Sequence, residues 1–294
     1  MDKQSIQDLV KSFSIETTVR EAARIEKYGD FVRAGTEFYI AHVPGTSPDE
    51  TVALAKRLRQ EGMEPVPHIV ARRIPSAVAL DDVLGRLVGE AGVNRVLVVA
   101  GDIDKAEGEL SSALQILESG LLDKHGLRNI RVAGHPEGHR AVADDVLKQA
   151  LATKNEYANR TGAQVTVVTQ FTFAAEPFIA WEHAMREVTR LPYAAGLPGL
   201  ATIKTLLKYA IDCGVGPSLS AVSKHAANLT KLLAVQTPDE VVVGLAQHKS
   251  RNPHSLLKGV HFFPFGGLKR TAEWVNKIID GQFEISDDGA GLTV

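Results

Sequence analysis

A chain of 294 residues that is 44% apolar can bury one large core, and its 33 basic and 35 acidic side chains leave a net charge of only −2. That balance lacks the excess that draws proteins to phosphate backbones or anionic lipid, so nucleic acid and membranes are not expected partners. The lone cysteine, Cys213, excludes an internal disulfide and a thiolate metal cluster within one chain, and no metal site is expected. No run approaches the ~20 apolar residues of a bilayer span. The amino-terminal stretch lacks the apolar core of a secretion signal, so a cytoplasmic protein is expected.

Taken in chain order, the periodicity alternates between strand and helix. Phe13 to Glu16 reads as a first strand, and Val19 to Val32, apolar at 19, 22, 23, 25, 31 and 32, lies closer to a helical stripe. Glu37 to Val43 is strand-like, Pro44 to Pro48 a loop, and Ser47 or Asp49 caps a helix over Glu50 to Glu61 that ends at Gly62. Strand Glu64 to Val70 and helix Ala77 to Ala91, closed by Gly92, follow. Arg95 to Ala100 is apolar on both faces, as a strand covered on both sides must be.

The cycle continues with strand Ile130 to Gly134, helix Val142 to Thr161, strand Val165 to Gln170, helix Glu176 to Thr189 and strand Tyr193 to Leu197. Two or three helices are expected between Leu200 and Gln247, then strand Val260 to Phe265, helix Leu268 to Ile279, and a polar tail from Asp287 that frays. Strand-like runs spaced by roughly 25 to 35 residues, a longer last gap excepted, fit strand–loop–helix repeats. They predict a single-domain (β/α)8 TIM barrel over residues 1–294.

Most of these strands stop at a residue able to do chemistry: Glu16, His42, His68, Asp102, Glu137, Gln170. In such a barrel the strand carboxyl ends converge on one face, where active sites lie. Each residue also has a plainer use. Asp102 serves equally as a helix cap, and His68, after Pro67, as a loop histidine. Gln170 is more telling, because it interrupts the apolar run Val165 to Phe173 and a buried amide needs partners. Arg72 and Arg73 read as a phosphate contact or as ordinary exposed arginines. His248 to His254 reads as a solvated loop or as a lid on the same rim.

Three strings resemble the central signatures of the methylenetetrahydrofolate reductase family: Val98-Val99-Ala100-Gly101-Asp102, Val132-Ala133-Gly134-His135-Pro136-Glu137-Gly138-His139 and Val168-Thr169-Gln170-Phe171-Thr172-Phe173. Pro67-His68-Ile69, Gly196-Leu197-Pro198 and His261-Phe262-Phe263 resemble further strand ends of that family, in order, from about Phe13 to Trp274. The resemblance implies a barrel enzyme of one-carbon metabolism, on the route to methionine. It would reduce 5,10-methylenetetrahydrofolate to 5-methyltetrahydrofolate, with FAD as hydride relay and NADH or NADPH as donor. Opening the folate ring calls for a carboxylic acid kept protonated by burial, the role the resemblance gives Glu16. A fixed carboxylate, Asp102, would stabilise the iminium cation. The Gln170 amide would match the pterin edge, with Phe173 and Ile203 beside the substrate. His42, His68, His135, Glu137 and His139, with Asp102, would line the cofactor channel.

The departures from that family pattern concern the flavin. Thr17-Thr18-Val19 replaces the aromatic and proline residues after the first glutamate, Ala100 replaces an arginine, and Lys154 and Arg160 are both out of register for an expected lysine. Ile203 stands where an aromatic ring would stack. Either FAD binds through other contacts, or hydride passes directly from nicotinamide to folate. A pterin-binding methyltransferase barrel and a non-catalytic folate-binding barrel are the competing functions, and association into homo-oligomers is left open.

Overall fold

The computed structural model describes residues 2–213 and 233–294. Its main sheet contains β1 (Ser14–Thr17), β2 (Glu37–Ile40), β3 (Glu64–Val70), β4 (Arg95–Val99), β5 (Asn129–Gly134), β6 (Gln164–Phe171), β7 (Tyr193–Pro198) and, after the short antiparallel pair β8 (Ala201–Thr202) and β9 (Val235–Gln236), β10 (Leu257–Phe263). These strands close into an eight-stranded parallel barrel in the order β1-β10-β7-β6-β5-β4-β3-β2. The expected TIM barrel is thus the observed fold. By packing, the chain divides into two compact units, one made of Met1–Ile15, Gly134–Leu151 and Val168–Val294, the other of Glu16–Ala133 and Ala152–Val167.

In the second unit, the helices start and stop where local chemistry dictates. Ser47 caps α3 (Pro48–Gln60) in a reciprocal box with Glu50, with Pro48 in the first turn. Ser76 caps α4 (Ala77–Ala91), which ends on Gly92 at φ +62°, a conformation only glycine adopts without strain. Leu80, Leu84, Leu87 and Ala91 recur at helical spacing and are buried, as are Val96 and Val98 of β4. Truncating any of these leucines to alanine costs about 2–5 kcal/mol.

In the first unit, α1 (Lys3–Val10) buries Ile6, Leu9 and Val10, and Ser14 Oγ lies 2.8 Å from His261 Nδ1, joining β1 to β10. After α7 (Asp144–Thr161), toward the carboxyl end run α8 (Ala175–Met185), α9 (Ile203–Cys213), α10 (Asp239–Arg251) and α11 (Leu268–Ile279). The last of these packs Leu268, Thr271, Ala272, Val275 and Ile278 along one face, within the bounds expected.

Three expectations are corrected. The helix expected over Val19 to Val32 is only α2 (Val19–Ala22) and a 3-10 turn, Tyr28–Asp30. The Arg57 guanidinium explains the break, because it takes the carbonyls of Ala22, Ile25 and Glu26 at 2.9, 2.6 and 3.0 Å. The gap after Asp102 holds α5 (Ala113–Glu118), capped by Ser112 and Gln115, and α6 (Leu121–Lys124), which the sequence reading passed over. The tail does not fray, since β11 (Glu284–Ile285) and β12 (Leu292–Thr293) form a hairpin whose Gly289 carbonyl accepts from Gln247 Nε2 at 3.1 Å. Of the helices expected between Leu200 and Gln247, any within 214–232 lies outside the described residues.

Candidate active site

In the second unit, Glu16 and His68 meet. Strands β1 and β3 are not neighbours, because β2 lies between them. Yet Glu16 Oε1 is 3.3 Å from His68 Nε2, a contact that only the inner face of the barrel allows. Both side chains are largely enclosed, 19% and 14% exposed, and His68 Nε2 makes no aligned hydrogen bond among the described residues. Burial, reinforced by the Glu21 carboxylate, pushes the Glu16 carboxyl up to about 8. Burial, with His42 nearby, pulls the His68 imidazole down to about 3. Both groups are therefore neutral near pH 7, one an acid holding its proton and the other an imidazole with a free lone pair.

The imidazole has a firm support. The Tyr39 ring meets His68 edge-on, with centroids 6.3 Å apart, and the Tyr39 hydroxyl donates to Glu37 Oε2 at 3.5 Å. Glu37 in turn accepts from Arg131 Nη2 at 2.7 Å and from Arg95. These arginines outweigh the effect of burial and hold the Glu37 carboxyl low, so it stays ionised.

Asp102 reaches the same rim by a tight passage of the chain. Gly101 has φ +105°, and a Cβ there would lie 2.6 Å from Val70 Cγ1, so only glycine lets this loop pass the end of β3. Arg73 Nη2 donates to Asp102 Oδ1 at 3.0 Å. Partial burial raises the Asp102 carboxyl, but the Arg73 hydrogen bond and charge prevail and hold it below its usual range. Asp102 is thus a fixed anion with its side chain 74% exposed. His42, half-buried after β2, is lowered by burial and by Arg73.

The first unit holds the residues after β5 and β6. The Thr169 hydroxyl accepts from Gly196 N at 2.8 Å, fixing the backbone on which the half-buried Gln170 stands. Beyond it lies an aromatic cluster in which Phe171 meets Phe173, Phe263 and Phe265 at 5.5, 5.5 and 5.0 Å, and Tyr209 stacks on Phe265 at 4.2 Å. Phe265 has φ +48°, strained for an aromatic residue, and this ends the strand expected to run that far. Phe173, Pro198, Leu206, Thr237 and Asp239 line a cavity of about 310 Å³. His135 and His139 pack edge to face at 5.3 Å on the loop that carries Glu137.

Some expected residues sit elsewhere. Ile203 is 1% exposed and packs with Ala201 and Leu206 against Phe173. Arg72 donates to the carbonyls of Ile103 and Ser111, both at 3.0 Å, which is a structural tie. The stretch His248 to His254 forms the end of α10 and the lead-in to β10, at that strand's amino end. It is therefore off the rim first assigned to it, and His248 Nε2 bonds the buried Glu182. Sequence reading missed Tyr39, Tyr209, Phe263 and Phe265. Two of them carried a signal, Phe263 in the motif of the last strand and Phe265 as that strand's expected end.

A closed parallel barrel with an enclosed carboxyl, Glu16, and an arginine-held carboxylate, Asp102, at strand ends defines the class, an α/β barrel with acidic groups where its strands end. The methylenetetrahydrofolate reductase family model matches residues 38–216, more than half of the chain, and the chain belongs to that family. Among solved structures it is similar to an uncharacterized protein from Clostridium thermocellum that binds two copies of 5-methyl-5,6,7,8-tetrahydrofolic acid, at 12% identity, TM-score 0.56, over 95% of this chain and 98% of that one. It is also similar to a family 18 chitinase from Crocus vernus, at 13% identity, TM-score 0.51, over 92% and 98%. At such identities these likenesses concern the fold. No helix among the described residues is long and apolar enough to cross a membrane.

Proposed function

We propose that this chain reduces 5,10-methylenetetrahydrofolate to 5-methyltetrahydrofolate at the expense of NADH or NADPH, as one cytoplasmic barrel domain. The observation that carries this is Glu16, buried on the inner face of the barrel and protonated near neutral pH. The substrate's bridging carbon must lose one of its two nitrogens, which departs only if a proton arrives with it. Glu16 supplies that proton. The ring opens to an iminium cation on the remaining nitrogen, and the exposed, permanently ionised Asp102 stabilises that charge. Hydride delivered to the iminium carbon, at the ultimate expense of NADH or NADPH, would then leave a methyl group. Gln170 offers its amide to the pterin edge, with Phe173 against the substrate, while His42, His135, Glu137 and His139 border the cofactor.

FAD is the family's usual relay, but the residues about β3 and β4 fit it poorly. A flavin diphosphate wants a free cation or open backbone amides. Arg72 is spent on carbonyls, Arg73 on Asp102, and Ala100 precedes Gly101. This mismatch favours a second reading, in which hydride passes directly from nicotinamide to folate.

The test is nicotinamide oxidation by the purified protein with methylenetetrahydrofolate, beside its flavin absorbance. Turnover by a colourless protein supports direct transfer, and turnover by a yellow one the FAD relay. Absence of turnover with or without added FAD rejects the reductase in favour of a methyltransferase or folate-binding barrel.

A further inference from the structure

We infer that His68 is a positioning residue for Glu16, the group through which this enclosed acid regains its proton after each turnover. The inference rests on the reductase reading above. Its starting point is a requirement of mass balance. Reducing the methylene bridge consumes one hydride and one proton, so a catalytic cycle takes one proton from solvent for every nicotinamide oxidised. Glu16 gives up its proton inside the barrel, where its side chain is 19% exposed, and needs a way to recover it.

The way is present on the inner face. His68 Nε2 is a buried polar atom with no aligned hydrogen bond among the described residues, and Glu16 Oε1 lies 3.3 Å from it. The ring cannot swing freely, because Tyr39 meets it edge-on and is itself tied to the Glu37–Arg131 pair. Half-buried His42 is the charge that acts on the His68 ring and is itself acted on by Arg73, Glu107 and Asp102, while Glu21 is the charge acting on Glu16. After Glu16 has protonated the departing nitrogen, it is a carboxylate. A solvent proton makes His68 an imidazolium, its Nε2–H passes to Glu16, and both groups are again neutral. One proton enters and one leaves in product. Burial disfavours the lone imidazolium, so the proton is taken up only while the carboxylate is there to balance it. This coupling keeps the acid from being idly ionised between turnovers.

The test uses the full chain with His68→Phe, which removes the nitrogens, and His68→Gln, which keeps a polar side chain should the first fail to fold. The first turnover after rapid mixing with NADH and methylenetetrahydrofolate should be slowed far less than the turnovers that follow it. Steady-state turnover should fall by on the order of a hundredfold. It should recover with added imidazole and show an enlarged solvent deuterium effect. Unchanged steady-state turnover, or equal slowing of the first and later turnovers, overturns the proposal. The infrared carboxyl band of Glu16, assigned with Glu16→Gln, gives a readout independent of activity. Its titration midpoint should move in both His68 variants, and an unmoved midpoint overturns the pairing. Should the wild-type chain oxidise no nicotinamide with folate, the reductase reading fails, and the infrared titration still judges the pair.

Discussion

The backbone N–H of Gly196 donates to the Thr169 hydroxyl at 2.8 Å, and a Cβ on Gly196 would collide with the carbonyl of Thr169 and lie 2.8 Å from that of Gln170. The close approach of β6 and β7 thus depends on a missing side chain, and it sets where the Gln170 amide stands. Gly196→Ala should force these backbones apart, costing about 1–3 kcal/mol and lowering the melting temperature. Its KM for folate should rise while that for the nicotinamide holds. Thermal melts and steady-state kinetics check both.

Gln170→Leu removes the amide without a large change of volume. Losing one or two hydrogen bonds to the pterin, about 1–3 kcal/mol, should weaken folate binding roughly ten- to a hundredfold. Titration calorimetry with 5-methyltetrahydrofolate reads this directly. An unchanged affinity would take Gln170 out of the site.

Glu16→Gln should lower folate turnover by about 10²–10⁴ and leave folate affinity intact. In the wild-type chain, turnover should fall as pH rises through about 8, where the acid ionises.

Stability should carry the same signature. The folded state holds the Glu16 proton up to about 8 against 4.5 in the unfolded chain, so this contribution is complete below 4.5 and is lost as pH rises to 8. His68 is lowered from 6.5 to about 3, so its contribution is complete above 6.5 and is lost as pH falls to 3. Between 4.5 and 6.5 the two slopes oppose each other and a plateau results. Glu16→Gln should remove the alkaline decline, and His68→Gln the acid one. Denaturant melts across this range measure both.

The buried Glu182 should matter to stability alone. It is fully enclosed and bonds His248 Nε2, Ser255 Oγ at 2.8 Å and Leu256 N at 2.6 Å, at the amino end of β10. His248→Phe strips one partner from this carboxylate and should cost about 1–3 kcal/mol. At a temperature where the variant is folded, kcat and KM should match the wild type.

What the sequence disclosed was what local chemistry controls. Two-faced apolar runs marked β4, serine caps and terminal glycines bounded α3 and α4, and strand ends pointed to Glu16, His68, Asp102 and Gln170. The rest depended on distant partners. Nothing near Ala22 announces that Arg57 will cap its carbonyl, and nothing near Asp102 that Arg73 will hold it. The Glu16–His68 contact crosses an intervening strand, so only closure of the barrel creates it. Ile203 looked like a substrate residue by alignment of motifs, and its burial against Phe173 is set by the packing of α9.

The carboxyl-terminal hairpin is clasped to α10 at two points, through Gln247 on Gly289 and through Asp239, which accepts from Leu292 N at 3.4 Å. Asp239 also borders the cavity beside Phe173. Prising the hairpin away would therefore strain the cavity wall through Asp239, and removing residues 284–293 would loosen the wall itself.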